Sequence, residues 1–210
     1  MDIKEAIHLN NQVASLLESN RFREALYVSC TAMELFQNQQ STAKQGSFGG
    51  NKSAIDQHML ASGGDCSSDD TSDDFVYGHG VVLPLNTLDG TVITPVLIFN
   101  CALCHHLGAR HCNEYSTSQA FLNKARRLYE IAYSEQDQVW NTLFKFAIVN
   151  NVGVIHKQLG SNEEAEACFN HLTSISMVYS ISDESKHLQC VQGFWKNVLG
   201  NGSSIAPAAA

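Results

Sequence analysis

Basic residues are scarce in this sequence. Thirteen Lys and Arg stand against 21 Asp and Glu in 210 residues, giving a formal charge of −8. A protein that grips nucleic acid needs a basic stripe, and the nearest cluster, Lys124-Ala125-Arg126-Arg127, is too short to be one, so no nucleic-acid partner is expected. Long apolar runs are also lacking. The longest, near Val92–Phe99, is interrupted by Thr94 and Pro95, so no membrane partner is expected. The opening Met1-Asp2-Ile3-Lys4-Glu5 has no basic region followed by an apolar stretch, so no secretory signal is expected. Gly-x-Ser-x-Gly, His-Glu-x-x-His and Gly-x-Gly-x-x-Gly patterns are missing too, and the residues point to no enzyme.

What is present suits one domain, or one domain with decoration. The hydrophobic fraction, 44%, is enough for a core. Seven cysteines is an odd number, which reads as reduced thiols in the cytoplasm or nucleus.

Three kinds of text alternate along the chain. Residues 2–36 have helical periodicity in two pieces, one with Ile7, Val13, Leu16 and Leu17, the next with Phe22, Ala25, Leu26, Ala32 and Phe36. Residues 37–92 are polar and small, and hold seven acids against two lysines, so this segment carries −5 of the −8. Such text buries too little apolar surface to offset its ordering entropy, and a disordered insert is expected, with a short helix at Ser53–Leu60. The hydroxyls of Ser67, Ser68, Thr71 and Ser72 precede acids and could be phosphorylated by an acid-directed kinase. The end of the insert is different. Phe75-Val76-Tyr77 and Val81-Val82-Leu83-Pro84-Leu85 flank Gly78-His79-Gly80, which reads as a hairpin or an extended strap over 75–85 lying on the helices or in their groove. Helical text resumes over 93–180, with Thr94-Pro95 as its first cap, a polar loop over Ala109–Ser118 and a cap at Asp137. A last helix is expected over 182–199, before a disordered tail at 200–210.

The helical text repeats itself. Asn151, Gly153, His156 and Leu159-Gly160 match Asn100, Ala102, His105 and Leu107-Gly108, and each set precedes a helix with Ala and an aromatic four residues on, Ala165/Phe169 and Ala125/Tyr129. Asn11 to Ala25 and Asn151 to Ala165 are both 14 residues, whereas Asn100 to Ala125 is 25, an insertion of 11. The small residues belong where two helices approach closely, so each block is a helical hairpin whose exposed face needs a neighbour.

Asn150-Asn151-Val152-Gly153-Val154-Ile155-His156-Lys157-Gln158-Leu159-Gly160 followed by Glu163-Glu164-Ala165-Glu166 resembles a tetratricopeptide repeat (TPR), in the longer variety found in kinesin light chains. Phe99–His106 with Leu128–Tyr133 also resembles a group of small, uncharacterised TPR-like proteins of diatoms. The resemblance covers about 2–36 and 93–180. It implies an all-α fold, a right-handed α-solenoid of three TPR-like hairpins with a C-terminal capping helix. It further implies a concave groove, lined here by Asn10, Ala14, Leu17, Phe99, Leu103, His106, Asn150, Val154 and Lys157, that binds a partner peptide or helix. Capture of a C-terminal carboxylate is not expected, because no Arg falls among these positions.

A different function would use Cys101, Cys104, His105 and Cys112. Cys101-Ala102-Leu103-Cys104-His105 spells a haem-attachment motif, and with Cys112 the set has zinc-ligand chemistry. Against this, His105 is equivalent to His156, which has no cysteines beside it, and free Cys packs as a small hydrophobe. Gly46–Ser53 is one residue from a phosphate-binding loop but follows no strand. The expectation is therefore a non-enzymatic, cofactor-free interaction scaffold, with the metal- or haem-binding helical protein as its alternative.

Overall fold

The computed structural model describes residues 3–42, 74–87, 89–135, 142–179 and 188–201. The expected Ser53–Leu60 helix, the phosphorylatable hydroxyls, Asp137 and the tail beyond 201 lie outside them. The described residues form seven helices and no strand: α1 (Ile3–Glu18), α2 (Phe22–Thr42), α3 (Gly90–Arg110), α4 (Tyr115–Ser134), α5 (Thr142–Gln158), α6 (Asn162–Tyr179) and α7 (Leu188–Asn201). The fold is all-α. It divides into two compact units, one holding α1–α4 with the chain from Gly78, the other holding α5–α7 with Asp74–Tyr77.

In the first unit α1 pairs with α2 and α3 with α4, while α2 and α1 also pack on α3. The turn from α1 to α2 has a physical signature. Asn20 is left-handed (φ 57°), its N–H reaches the Leu17 carbonyl (3.0 Å), and the Arg21 N–H reaches that of Leu16 (2.9 Å). These two bonds satisfy carbonyls that the helix end would otherwise orphan. Ala25 then sits wholly buried where the helices meet.

α3 is the central helix of this unit. Apolar almost all round, it buries Val92, Ile93, Val96, Leu97, Phe99, Leu103 and the polar Asn100, His105 and His106. It begins at Gly90, not at Thr94: the Asp89 carboxylate caps it by accepting from the Thr91 N–H (2.9 Å). Pro95 is carried inside the helix, and the Thr94 hydroxyl donates to the Gly90 carbonyl (2.8 Å). The expected interruption of the apolar run is therefore not a break. Gly90–Arg110 is the one helix among the described residues long and apolar enough to cross a membrane, and 78% of its most apolar window is buried within the protein. The polar Ala109–Ser118 loop is shorter than expected, since α3 continues to Arg110 and α4 starts at Tyr115. Glu114 stands at the N-cap of α4, with no side-chain bond to the helix backbone. It accepts from the Ser116 and Thr117 hydroxyls (2.8 and 2.7 Å), which hold its carboxyl below the usual range.

In the second unit α5 pairs with α6, and both pack on α7. The α5–α6 turn repeats the α1–α2 turn: Gly160 is left-handed (φ 79°), its N–H reaches the Lys157 carbonyl (3.1 Å), and the Ser161 N–H that of His156 (2.9 Å). Ala165 lies in the position of Ala25 and is buried. An added Cβ on Gly153 would stand 2.9 Å from the Phe169 ring, so the glycine lets α5 and α6 approach.

Candidate functional site

Residues 74–84 have no regular secondary structure, yet several of their side chains are buried: Tyr77, Val81 and Leu83 are each at most 2% exposed. The segment is an extended strap, not a hairpin. Its backbone needs hydrogen-bond partners, and helix backbones, which satisfy themselves, cannot supply them. A carboxamide offers one acceptor and a donor side by side, as a neighbouring strand would.

The first unit supplies two such clamps. Asn100 of α3 accepts from the Val81 N–H and donates to its carbonyl, both at 2.8 Å. Asn11 of α1 does the same for Leu83, accepting at 2.8 Å and donating at 2.7 Å. The two clamped residues are two apart, so both present the same edge of an extended chain. Asn10 reinforces Asn100: its amide donates to the Val81 carbonyl (2.9 Å), and its oxygen accepts from the Asn100 amide (2.9 Å). Because each carboxamide faces an N–H and a carbonyl of one residue, its orientation is fixed by its partners. Close approach requires Gly80, where an added Cβ would lie 2.7 Å from the Ala14 Cα and 3.2 Å from Leu17 Cδ1. Burial in the same stretch pushes His79 below its ordinary value, partly offset by Glu18.

The second unit repeats the device on the other half of the strap. Asn151 of α5 clamps Tyr77 (2.9 and 3.0 Å), and Asn197 of α7 clamps Phe75 (2.8 and 2.6 Å). Asn150 plays the part of Asn10, donating to the Phe75 carbonyl (3.0 Å) and accepting from the Asn197 amide (2.7 Å). The Phe75 ring meets Phe194 edge-on (5.5 Å between centroids), Tyr77 stacks on Phe194 (6.1 Å), and Phe146 meets Phe194 edge-on (5.8 Å). Gly193 leaves room for the Phe75 ring, since an added Cβ would lie 2.5 Å from it. Lys157 forms an ion pair with Asp74 (2.6 Å) at the start of the strap.

Of the nine positions expected to line a groove, Asn10, Ala14 and Leu17 meet the strap in the first unit and Asn150 and Lys157 meet it in the second. The remaining four are buried. Phe99 and His106 pack on Tyr129 (5.5 and 6.1 Å), and Leu103 and Val154 are fully buried. The clamps Asn11, Asn100, Asn151 and Asn197 were not among the nine. Three of them are the repeat-equivalent asparagines, so the register held the signal. Asn197 lies outside the repeats.

Within the cysteine–histidine set Cys101 and Cys104 lie near each other. Cys101 lies beside Ser29 and Cys30, His105 packs edge-on against Phe121 (5.4 Å), and Cys104 and Cys112 line a surface cleft of about 460 Å³ with Arg21, Phe22 and His111. Burial raises both the Cys101 and Cys104 thiols, which favours their neutral forms. Among the described residues no three His, Cys, Asp or Glu side chains are grouped to hold a metal ion.

Compared with known proteins, the chain matches no family model, and no curated protein or solved structure is significantly similar to it.

Proposed function

We propose that the protein is a non-enzymatic interaction scaffold whose TPR-like hairpins, stacked as a right-handed α-solenoid capped by α7, hold an extended peptide of a partner protein. The observation that carries this reading is the set of four bidentate clamps, Asn11, Asn100, Asn151 and Asn197, each engaging both backbone groups of one strap residue. A clamp of this kind reads main chain, and a partner's main chain has the same groups. The partner has no nucleic-acid or lipid chemistry in this reading, and the protein works in the cytoplasm or nucleus with its cysteines reduced.

The test replaces 74–83 by a Gly/Ser segment of equal length and screens the chain on a peptide array. Peptides bound by this variant should be lost when Asn11 and Asn100, or Asn151 and Asn197, are changed to Ala. Binding that ignores all four asparagines would overturn the reading.

A further inference from the structure

We infer that Phe75–Tyr77 is a displaceable resident of the second unit, and that its site takes in trans an extended segment of another protein carrying aromatic side chains two residues apart. This rests on the peptide-holding reading above and specifies its ligand. Four observations support it.

The Phe75 and Tyr77 rings both lodge on Phe194, and Gly193 is the residue that admits the first of them. Selectivity for the ring therefore sits in the receptor, next to clamps that are indifferent to side chains. The chain also enters this unit as a separate piece. Gly78 onward belongs to the first unit, while the helices that hold Phe75 and Tyr77 begin at Thr142. Peeling off Asp74–Tyr77 cuts no helix. Among the described residues the stretch pairs with no strand, and its backbone bonds to Asn150, Asn151 and Asn197 are bonds to side chains, which another extended backbone can replace. Finally, the resident is tethered, and a tethered ligand competes at high effective concentration. The unaltered chain should therefore bind an outside segment weakly until the resident is weakened.

The probe is a fluorescent, acetylated and amidated Asp-Phe-Val-Tyr-Gly peptide, titrated against the full-length chain and its F75A/Y77A variant. The variant should bind saturably, with Kd at least about ten-fold lower than the unaltered chain. An Asp-Ala-Val-Ala-Gly peptide should not bind. Adding Gly193→Ala to the variant should abolish binding, and Asn197→Ala provides the same readout if the Gly193 variant fails to melt cooperatively. No saturable binding to a folded F75A/Y77A chain would make the strap a fixed structural element and overturn the inference. Equal affinity for both chains, or indifference to the peptide rings, would do so too. A mixed dimer of unaltered and F75A/Y77A chains without peptide would overturn it in favour of a second copy as occupant. If this peptide fails while array peptides still depend on the asparagines, the inference alone falls and the scaffold reading stands.

Discussion

The carboxamide of Asn197 holds both backbone groups of Phe75, 122 residues earlier in the chain, accepting from its N–H at 2.8 Å and donating to its carbonyl at 2.6 Å. Asn197 is 3% exposed, so truncating it strands polar groups away from water. Asn197→Ala should cost about 1–3 kcal/mol, the penalty of unsatisfied buried groups, read from the shift of a urea melt. Amide exchange should quicken at Phe75 and stay unchanged at Val81, which Asn100 holds separately. Asn197→Asp should not rescue it, because a carboxylate keeps the acceptor and loses the donor. Wild-type stability in Asn197→Ala would show that the clamp carries no weight.

Gly80 faces Ala14 closely enough that a methyl group would sit 2.7 Å from backbone. Backbone cannot swing aside as a long side chain can. Gly80→Ala should therefore lift the strap from α1, destabilise the first unit by about 1–3 kcal/mol as overpacking does, and expose the Val81 and Leu83 amides to exchange. Unchanged protection at both would mean that the strap accommodates the methyl without moving.

The helices were legible because their apolar spacing is regular, and the hairpin turns because Asn20 and Gly160 end helices where left-handed residues belong. Two boundaries differ from what periodicity suggests: Asp89 caps α3 earlier than Thr94 could, and α4 starts inside a polar stretch, where Glu114 accepts from the Ser116 and Thr117 hydroxyls. The apolar strap was legible from its composition. Its clamps were legible only as a repeated Asn, since nothing in a linear sequence says whether a helical Asn faces a strap or solvent. Phe99, Leu103, His106 and Val154 were placed on a groove because a helix face was assigned as a whole, whereas all four are buried, Phe99 and His106 against Tyr129.

His105 and His106 are 3% and 0% exposed, and none of their ring nitrogens has a hydrogen-bond partner among the described residues. Burial first, then Lys124 beside His105 and Arg110 beside His106, lowers them from 6.5 to about 4 and about 3. The aromatic neighbours, Phe121 and Tyr129, offer no stabilising charge. Below pH 6.5 the unfolded chain takes up protons that the folded chain refuses, so stability falls as pH falls, down to the folded values. Each histidine contributes about 1.4 kcal/mol per pH unit in that window, on the order of 4 kcal/mol for the two between pH 7.5 and 5. Urea midpoints across this range should drop accordingly, and the H105F/H106F variant should show a flatter profile whatever its stability at pH 7.5. An unchanged slope would place the acid sensitivity elsewhere.

Ala25 and Ala165 occupy the same step of two hairpins, each 14 residues after a clamping asparagine and each hydrogen-bonded through its N–H to the residue after a left-handed one, Arg21 and Ser161. Neither has space around it: exposure is 0% and 3%. Ala165→Phe should force α5 and α6 apart where Gly153 has drawn them together, at a cost of about 1–3 kcal/mol or more. Since Asn151 rides on α5 beside Gly153, the Tyr77 amide should lose protection along with the lost stability. A surface-like effect, below about 0.5 kcal/mol, would mean that Ala165 does not sit at a tight crossing. The hairpin register, and with it the equivalence of Asn11 and Asn151, would then be wrong.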